Sequence, residues 1–229
     1  MSISSHGEEE TKPGIRGVYL RHERLIIAVF LVIFLSCSFY YVDWHNHLLW
    51  KEGVKFYSLT TRIDRAIPFT PAWVWVYLLY YPFCFMPLFL LNNIDTFRRV
   101  AGAYLMEFII AFIVFLSFPV RMIRPVVVPD TLSTKMVGII YRIDPGFNVF
   151  PSLHVANSLL VALIFYRYNK PLGIFFLLIA CLIAVSTLYV KQHYVVDVVT
   201  GILDTALVYP LIFWGHRPER NKKALQPSA

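Results

Sequence analysis

The chain has 229 residues, of which 58% are hydrophobic, 17% aromatic and only 15% charged, and its formal net charge is +7. A soluble domain of this size carries about 25% charged residues; here the charge is missing from several long blocks, which excludes an ordinary soluble enzyme and points to a bilayer. No basic run is interleaved with aromatics as nucleic-acid binding would need, so the positive charge reads as membrane orientation, and Cys37, Cys84 and Cys181, all inside apolar stretches, read as packing residues and not as disulfides or metal ligands.

The N-terminal tail, residues 1–24, is polar, with an acidic run at Glu8, Glu9 and Glu10. A cleavable signal peptide would begin its apolar region sooner, so the first apolar segment reads as a retained span. About 20 mostly apolar residues cross the hydrocarbon core as a helix. On that measure the pattern predicts an all-α membrane bundle of six spans, at residues 25–42, 71–91, 100–120, 151–166, 172–190 and 194–214. The break between the last two is only Lys191, Gln192 and His193, and a fused span would be about 43 residues, too long to cross once. Residues 25–215 form one domain in this reading, and residues 216–229 are a second cytoplasmic tail. By parity, twelve of the 21 Lys and Arg residues share a side: Lys12, Arg16, Arg21, Arg24, Arg98, Arg99, Arg167, Lys170, Arg217, Arg220, Lys222 and Lys223. The positive-inside tendency places that side, and both termini, in the cytoplasm. Trp44, Trp50, Phe56 and Tyr57, set among charges in the first outer loop, fit a segment at headgroup level. A compact chain without processing signals fits a bacterial inner membrane.

Three polar groups fall at the outer ends of these spans. Arg121 and Arg124-Pro125 follow span three, Pro151-Ser152-Leu153-His154 opens span four, and Ser186 to Asp197 joins spans five and six. Six spans put all three on one face. His193 and Asp197 are four apart and share a helix face. A carboxylate on one ring nitrogen fixes the tautomer and leaves the other as a nucleophile; the alternative is a pair that merely caps the helix. His154 sits at a helix start marked by Pro151, where free N–H groups and the Ser152 hydroxyl suit an anion and His154 suits a general acid. The alternative there is an interfacial histidine bonded to water. Arg124 offers a planar fork for phosphate oxygens, with Arg121 and Lys191 as further candidates against solvated loop charges. Two histidines, a carboxylate and several cations at one membrane face are what phosphoryl transfer needs. No cluster has the ligand set of a metal site.

These motifs, in this order and spacing, resemble the type 2 phosphatidic acid phosphatase superfamily of lipid phosphate phosphatases and phosphotransferases. The family pattern is Lys, six residues, Arg-Pro; then Pro-Ser-x-His; then Ser-Arg, five residues, His, three residues, Asp. Arg124-Pro125, Pro151-Ser152-Leu153-His154, and Ser186, His193 and Asp197 match it. Two positions depart: Ser117 stands for the lysine and Thr187 for the arginine, so Lys191 or Arg121 is expected to replace the missing cations. The Phe-Pro-Ser-Leu-His form, the Ser-Thr pair and the Asp64-x-x-Ile-Pro-Phe run are similar to the branch that includes inositol phosphorylceramide synthase. The resemblance implies a metal-independent reaction without cofactor. His193 forms a phosphohistidine, His154 protonates the leaving oxygen, and Asp197 orients His193. Arg124, Ser152 and Lys191 or Arg121 hold the phosphoryl oxygens of a lipid phosphate or pyrophosphate that enters sideways from the bilayer. Two rival functions stand beside the phosphatase: a lipid headgroup transferase using the same site, and a transporter. The transporter rests on Glu107 and Asp204, ionisable residues in mid-span, whose alternative is to join helices.

Overall fold

The structure is a computed structural model that describes residues 15–215. Lys12, Arg217, Arg220, Lys222, Lys223 and the Glu8 to Glu10 run, which bear on orientation, lie outside the described residues, as do the side chains of Arg16 and Arg21. The described regular structure is helical, apart from one isolated bridge between Tyr57 and Val120.

The first helix, α1, runs Ile15–Lys51, past the expected span at both ends. Nothing in 43–51 breaks a helix; the chain turns only at Gly53, whose φ of +87° is the left-handed stop that glycine supplies. A short helix, α2 (Arg62–Ala66), follows in the first loop, capped by Thr61, whose hydroxyl accepts from the Asp64 amide. The expected second span is not one regular helix. A 3-10 turn (Pro71–Trp73) leads into α3 (Val74–Leu78), α4 (Tyr80–Cys84) and α5 (Met86–Leu90). The cause is Pro82 and Pro87, which each remove an i to i−4 donor. The backbone tightens to i to i+3 bonds at Leu79 and Phe85 without leaving the right-handed region, so the segment is a kinked rod.

Next come α6 (Ile94–Ser117), α7 (Leu132–Ile143), α8 (Leu153–Tyr168), α9 (Lys170–Tyr189) and α10 (Val195–Phe213). Asn93, Ser152 and Asn169 cap α6, α8 and α9, each through a side-chain oxygen accepting an N–H of the first turn. Helix α7 lies where the sequence reading left an outer loop; its apolar side packs Val137 and Ile140 against Val74, Tyr77 and Val190.

Among the described residues four helices are long and apolar enough to cross a membrane: His22–Lys51, Ile94–Ser117, Lys170–Tyr189 and Val195–Phe213. Helix α8 has only 16 residues, yet it is the centre of the bundle. Leu160, Val161, Ile164 and Phe165 are fully buried against Val100 and Ala103 of α6, Phe176 and Ile183 of α9 and Val208 of α10. Helix α1 is the opposite: Ile26, Phe30 and Ile33 are each more than half exposed, a surface that only lipid covers at low cost. The chain is a membrane protein.

Helices α8 and α10 meet at Gly201. A Cβ there would lie 2.5 Å from the Ser152 carbonyl oxygen and 3.2 Å from Val155 Cβ. Gly201→Ala is therefore expected to push the two helices apart, at about 1–3 kcal/mol. The melting temperature in detergent should fall together with activity; an unchanged melting temperature would mean that the contact yields freely.

Candidate active site

The end of α6, the start of α8 and the turn between α9 and α10 converge at one end of the bundle, with α2 and α7 beside them. Val190 to Tyr194 form the turn. The Gln192 N–H donates to the Thr187 carbonyl at 2.9 Å, the Val190 N–H to the Ser186 carbonyl at 2.9 Å, and Lys191 takes a φ of +53°. A lysine in the left-handed region is uncommon and needs outside support. Its ammonium supplies it, donating to the carbonyls of Asp64 at 3.0 Å and Ile67 at 2.6 Å. Burial pushes this ammonium below the usual lysine range, and the Asp64 carboxylate works against that shift. Asp64 completes the clamp: its Oδ1 accepts the Val195 N–H at 2.8 Å, while Oδ2 accepts from the Thr61 amide and hydroxyl. Helix α2 is thus locked to the first turn of α10 and to the segment that carries His193.

His193 is buried. Its Nδ1 lies 2.8 Å from the Val149 carbonyl oxygen and 3.4 Å from Asp197 Oδ2. The carbonyl can only accept, so a neutral His193 carries its proton on Nδ1 and presents a lone pair at Nε2. That lone pair faces His154 Nδ1 at 3.1 Å. Asp197 is fully buried; its Oδ2 also accepts the Tyr194 N–H at 2.7 Å, while Oδ1 has no hydrogen-bond partner among the described residues. The Val149 carbonyl thus shares with Asp197 the orientation of His193, and a backbone carbonyl leaves no signal in a sequence.

His154 is the second residue of α8. Its Nε2 pairs with the Tyr77 hydroxyl at 2.8 Å, and the Tyr80 ring lies 4.2 Å from its own, centre to centre. The Tyr80 hydroxyl accepts from Asn157 Nδ2 at 2.8 Å. Ser152 is fully buried, and its hydroxyl caps α8 by accepting the Val155 N–H at 3.4 Å.

The cations are dispersed. Arg124 donates to the Asp144 carbonyl and to Gln192 Oε1, lies 3.6 Å from the Asp144 carboxylate and covers the Tyr141 ring at 4.5 Å. Burial pushes the Tyr141 phenol above its ordinary range, and the Arg124 cation opposes the shift. Arg121 sits elsewhere, over the Trp50 ring at 4.0 Å and that of Phe147 at 5.3 Å. With Lys55, Tyr57 and Ser58 it lines a cavity of about 410 Å³. Thr187, at the position where the family has arginine, is fully buried and turns its hydroxyl back to the Ala184 carbonyl at 2.7 Å. Ser117 does the same toward the Ile113 carbonyl. Glu107 accepts from the Thr205 hydroxyl at 2.9 Å, a link between α6 and α10 in the middle of the bundle; both Asp204 oxygens lack a hydrogen-bond partner among the described residues.

The structure therefore brings His154, His193, Asp197 and Ser152 together, holds Arg124 next to the turn as a brace, and ties Lys191 and Arg121 to other partners. The sequence reading missed Tyr77, Gln192 and Asp144. The Tyr-rich second span and the Asp64 run were visible signals, but neither says which atom it meets.

The sequence profile of the PAP2 superfamily matches residues 38–211. This chain belongs to the PAP2 superfamily, the type 2 phosphatidic acid phosphatases. It is 46% identical over 65 residues to an uncharacterized protein of Methanocaldococcus jannaschii, a stretch of 28% of this chain and 26% of that one. The match thus spans about a quarter of the length of this curated relative. No solved structure matches.

Proposed function

We propose that this protein is a metal-independent lipid phosphate phosphatase that works through a phosphohistidine. The observation that carries the reading is the paired nitrogens: His193 Nε2 with a free lone pair, 3.1 Å from His154 Nδ1. A phosphoryl group entering between the rings replaces that hydrogen bond. His193 Nε2 then faces phosphorus, while a proton on His154 Nδ1 faces the leaving oxygen. The N–P bond forms as the P–O bond breaks, and the proton passes to the departing alcohol. In the second half His154 Nδ1 takes a proton from water, whose oxygen displaces His193 from phosphorus. The Val149 carbonyl and Asp197 stabilise the charge that His193 gains. Negative charge on the phosphoryl oxygens falls to cations and N–H groups at this end of the bundle.

A lipid substrate is supported by a second cavity, of about 320 Å³, between α1, α4, α5 and α6. Leu31, Leu35, Phe85 and Leu88 line it, together with Tyr80 and Asn157. Tyr80 also packs on His154, so an alkyl chain in this cavity leads to the reacting atoms. In the same reading the kinked rod and α8 cross the bilayer beside the four long helices. The domain is residues 25–215, both tails are cytoplasmic, and the catalytic end faces outward from a bacterial inner membrane. The bias of twelve cations against nine supports that orientation.

One observation favours a second reading, headgroup transfer to a lipid or alcohol acceptor. The Arg121 and Lys55 cavity lies beside Tyr194, whose hydroxyl pairs with Ser58 at 3.0 Å and donates to the Arg121 carbonyl at 3.0 Å. The two readings separate when purified protein is offered lipid phosphates and pyrophosphates in EDTA, and both free phosphate and new phospholipids are followed. Phosphate release in EDTA is the expected result; a new lipid without phosphate release would establish transfer, and activity that EDTA abolishes would overturn metal independence.

A further inference from the structure

Tyr77 belongs to none of the motifs that mark the site, yet it holds the outermost atom of the histidine chain. The proton positions along that chain follow from one end. The Val149 carbonyl can only accept, so a neutral His193 carries its proton on Nδ1 and leaves Nε2 bare. Bare Nε2 must be the acceptor toward His154, so the resting, neutral His154 carries its proton on Nδ1. His154 Nε2 is then bare, and the Tyr77 hydroxyl donates to it at 2.8 Å. In free neutral histidine the Nε2–H form predominates, so the Nδ1–H form at His154 has to be imposed. Tyr77 is placed to impose it. It is 1% exposed, and its ring is fixed among Val74, Val137, Ile140 and Val190. Tyr80, anchored by Asn157, fixes the imidazole from its face.

We propose that Tyr77 is a positioning residue that sets where His154 carries its proton. In the resting protein its O–H donates to Nε2 and holds the acidic proton on Nδ1, toward His193 and the incoming leaving group. When His154 takes a second proton from an incoming phosphate monoester monoanion and becomes imidazolium, Nε2–H donates to the same phenol oxygen, which can accept as well as donate. The imidazolium gives its Nδ1 proton to the leaving oxygen and keeps the one on Nε2. Nδ1 is then bare and ready to take a proton from water. This role in turnover rests on the phosphohistidine reading; the tautomer itself does not.

Two measurements on Tyr77→Phe, which keeps the ring and removes only the hydroxyl, test the proposal. The first is histidine nitrogen NMR on the ¹⁵N-labelled full chain in detergent at neutral pH, with the His154 signals identified by their loss in His154→Gln. His154 should be the Nδ1–H tautomer in the wild type and shift toward Nε2–H in Tyr77→Phe. An Nε2–H wild type, or the same tautomer in both proteins, would overturn the proposal whatever the substrate. The second compares alkyl phosphates, whose leaving oxygen needs a proton, with nitrophenyl phosphates, whose leaving oxygen does not. Tyr77→Phe should lose ~10–100-fold on the alkyl esters and no more than ~3-fold on the aryl esters, since general acid catalysis contributes ~10²–10⁴-fold when fully intact. Equal losses on both would reduce Tyr77 to a packing residue. Phosphate release that survives His193→Ala would sink the phosphohistidine reading and leave the tautomer result standing.

Discussion

His193→Ala is expected to lower phosphoryl transfer by roughly 10⁴-fold or more, because in the proposed mechanism it removes the nucleophile and not an accessory contact. In the neutral ring its Nε2 is free of a proton, because the acceptors around Nδ1, the Val149 carbonyl at 2.8 Å and Asp197 at 3.4 Å, hold the proton there. Rapid quenching of the wild type with a labelled lipid phosphate should trap acid-labile, base-stable phosphate on the protein. His193→Ala should trap none. His154→Ala should still form the phosphoenzyme from an aryl phosphate and then hydrolyse it slowly, because in the proposed mechanism His154 acts on the departing and attacking oxygens and not on phosphorus. Label retained in His193→Ala would move the nucleophile elsewhere.

Arg124→Ala is expected to destabilise the fold by about 3–5 kcal/mol, the usual cost of stranding one partner of a buried ion pair. The side chains of Arg124 and Asp144 are 8% and 16% exposed, and the guanidinium also satisfies the Asp144 carbonyl and Gln192, the residue before His193. Gly146 shows how closely the guanidinium is packed: a Cβ there would lie 3.1 Å from Arg124 Cζ, and its φ of +86° independently favours glycine. Arg124→Lys should recover only part of the loss, because an ammonium keeps the charge but not the fork. Arg124→Ala combined with Asp144→Ala should recover more, since no lone carboxylate remains. Unfolding in detergent measures all three. If Arg124→Ala melted like the wild type and only bound substrate less tightly, Arg124 would be a free phosphate ligand and not a brace.

Much of this was legible in the sequence because it depends on local pattern. Apolar blocks mark the membrane segments, Pro151 and Ser152 mark the start of α8, and the spacing of His193 and Asp197 lets their side chains meet, although His193 lies in the turn before α10 and not on the helix. Local pattern also misled. Residues 71–90 are as apolar as a span, but Pro82 and Pro87 break their hydrogen-bond ladder, and that kinked rod carries Tyr77 and Tyr80 past His154. Helix α1 ran on past Val42, because an end marked by loss of hydropathy is not an end of hydrogen bonding.

By itself the sequence determined the membrane class and the superfamily and marked the two histidines as candidates, since composition, order and spacing are one-dimensional quantities. Only the tertiary structure decided what each polar atom meets. Lys191 and Arg121 look alike as unpaired cations in a sequence, but one ends on the carbonyls of Asp64 and Ile67 and the other on Trp50. The direction of the protons along Tyr77, His154 and His193 likewise follows from a single backbone carbonyl, that of Val149. Hydrogen bonds are short and directional, so their partners depend on the packing of distant segments, which no local pattern encodes.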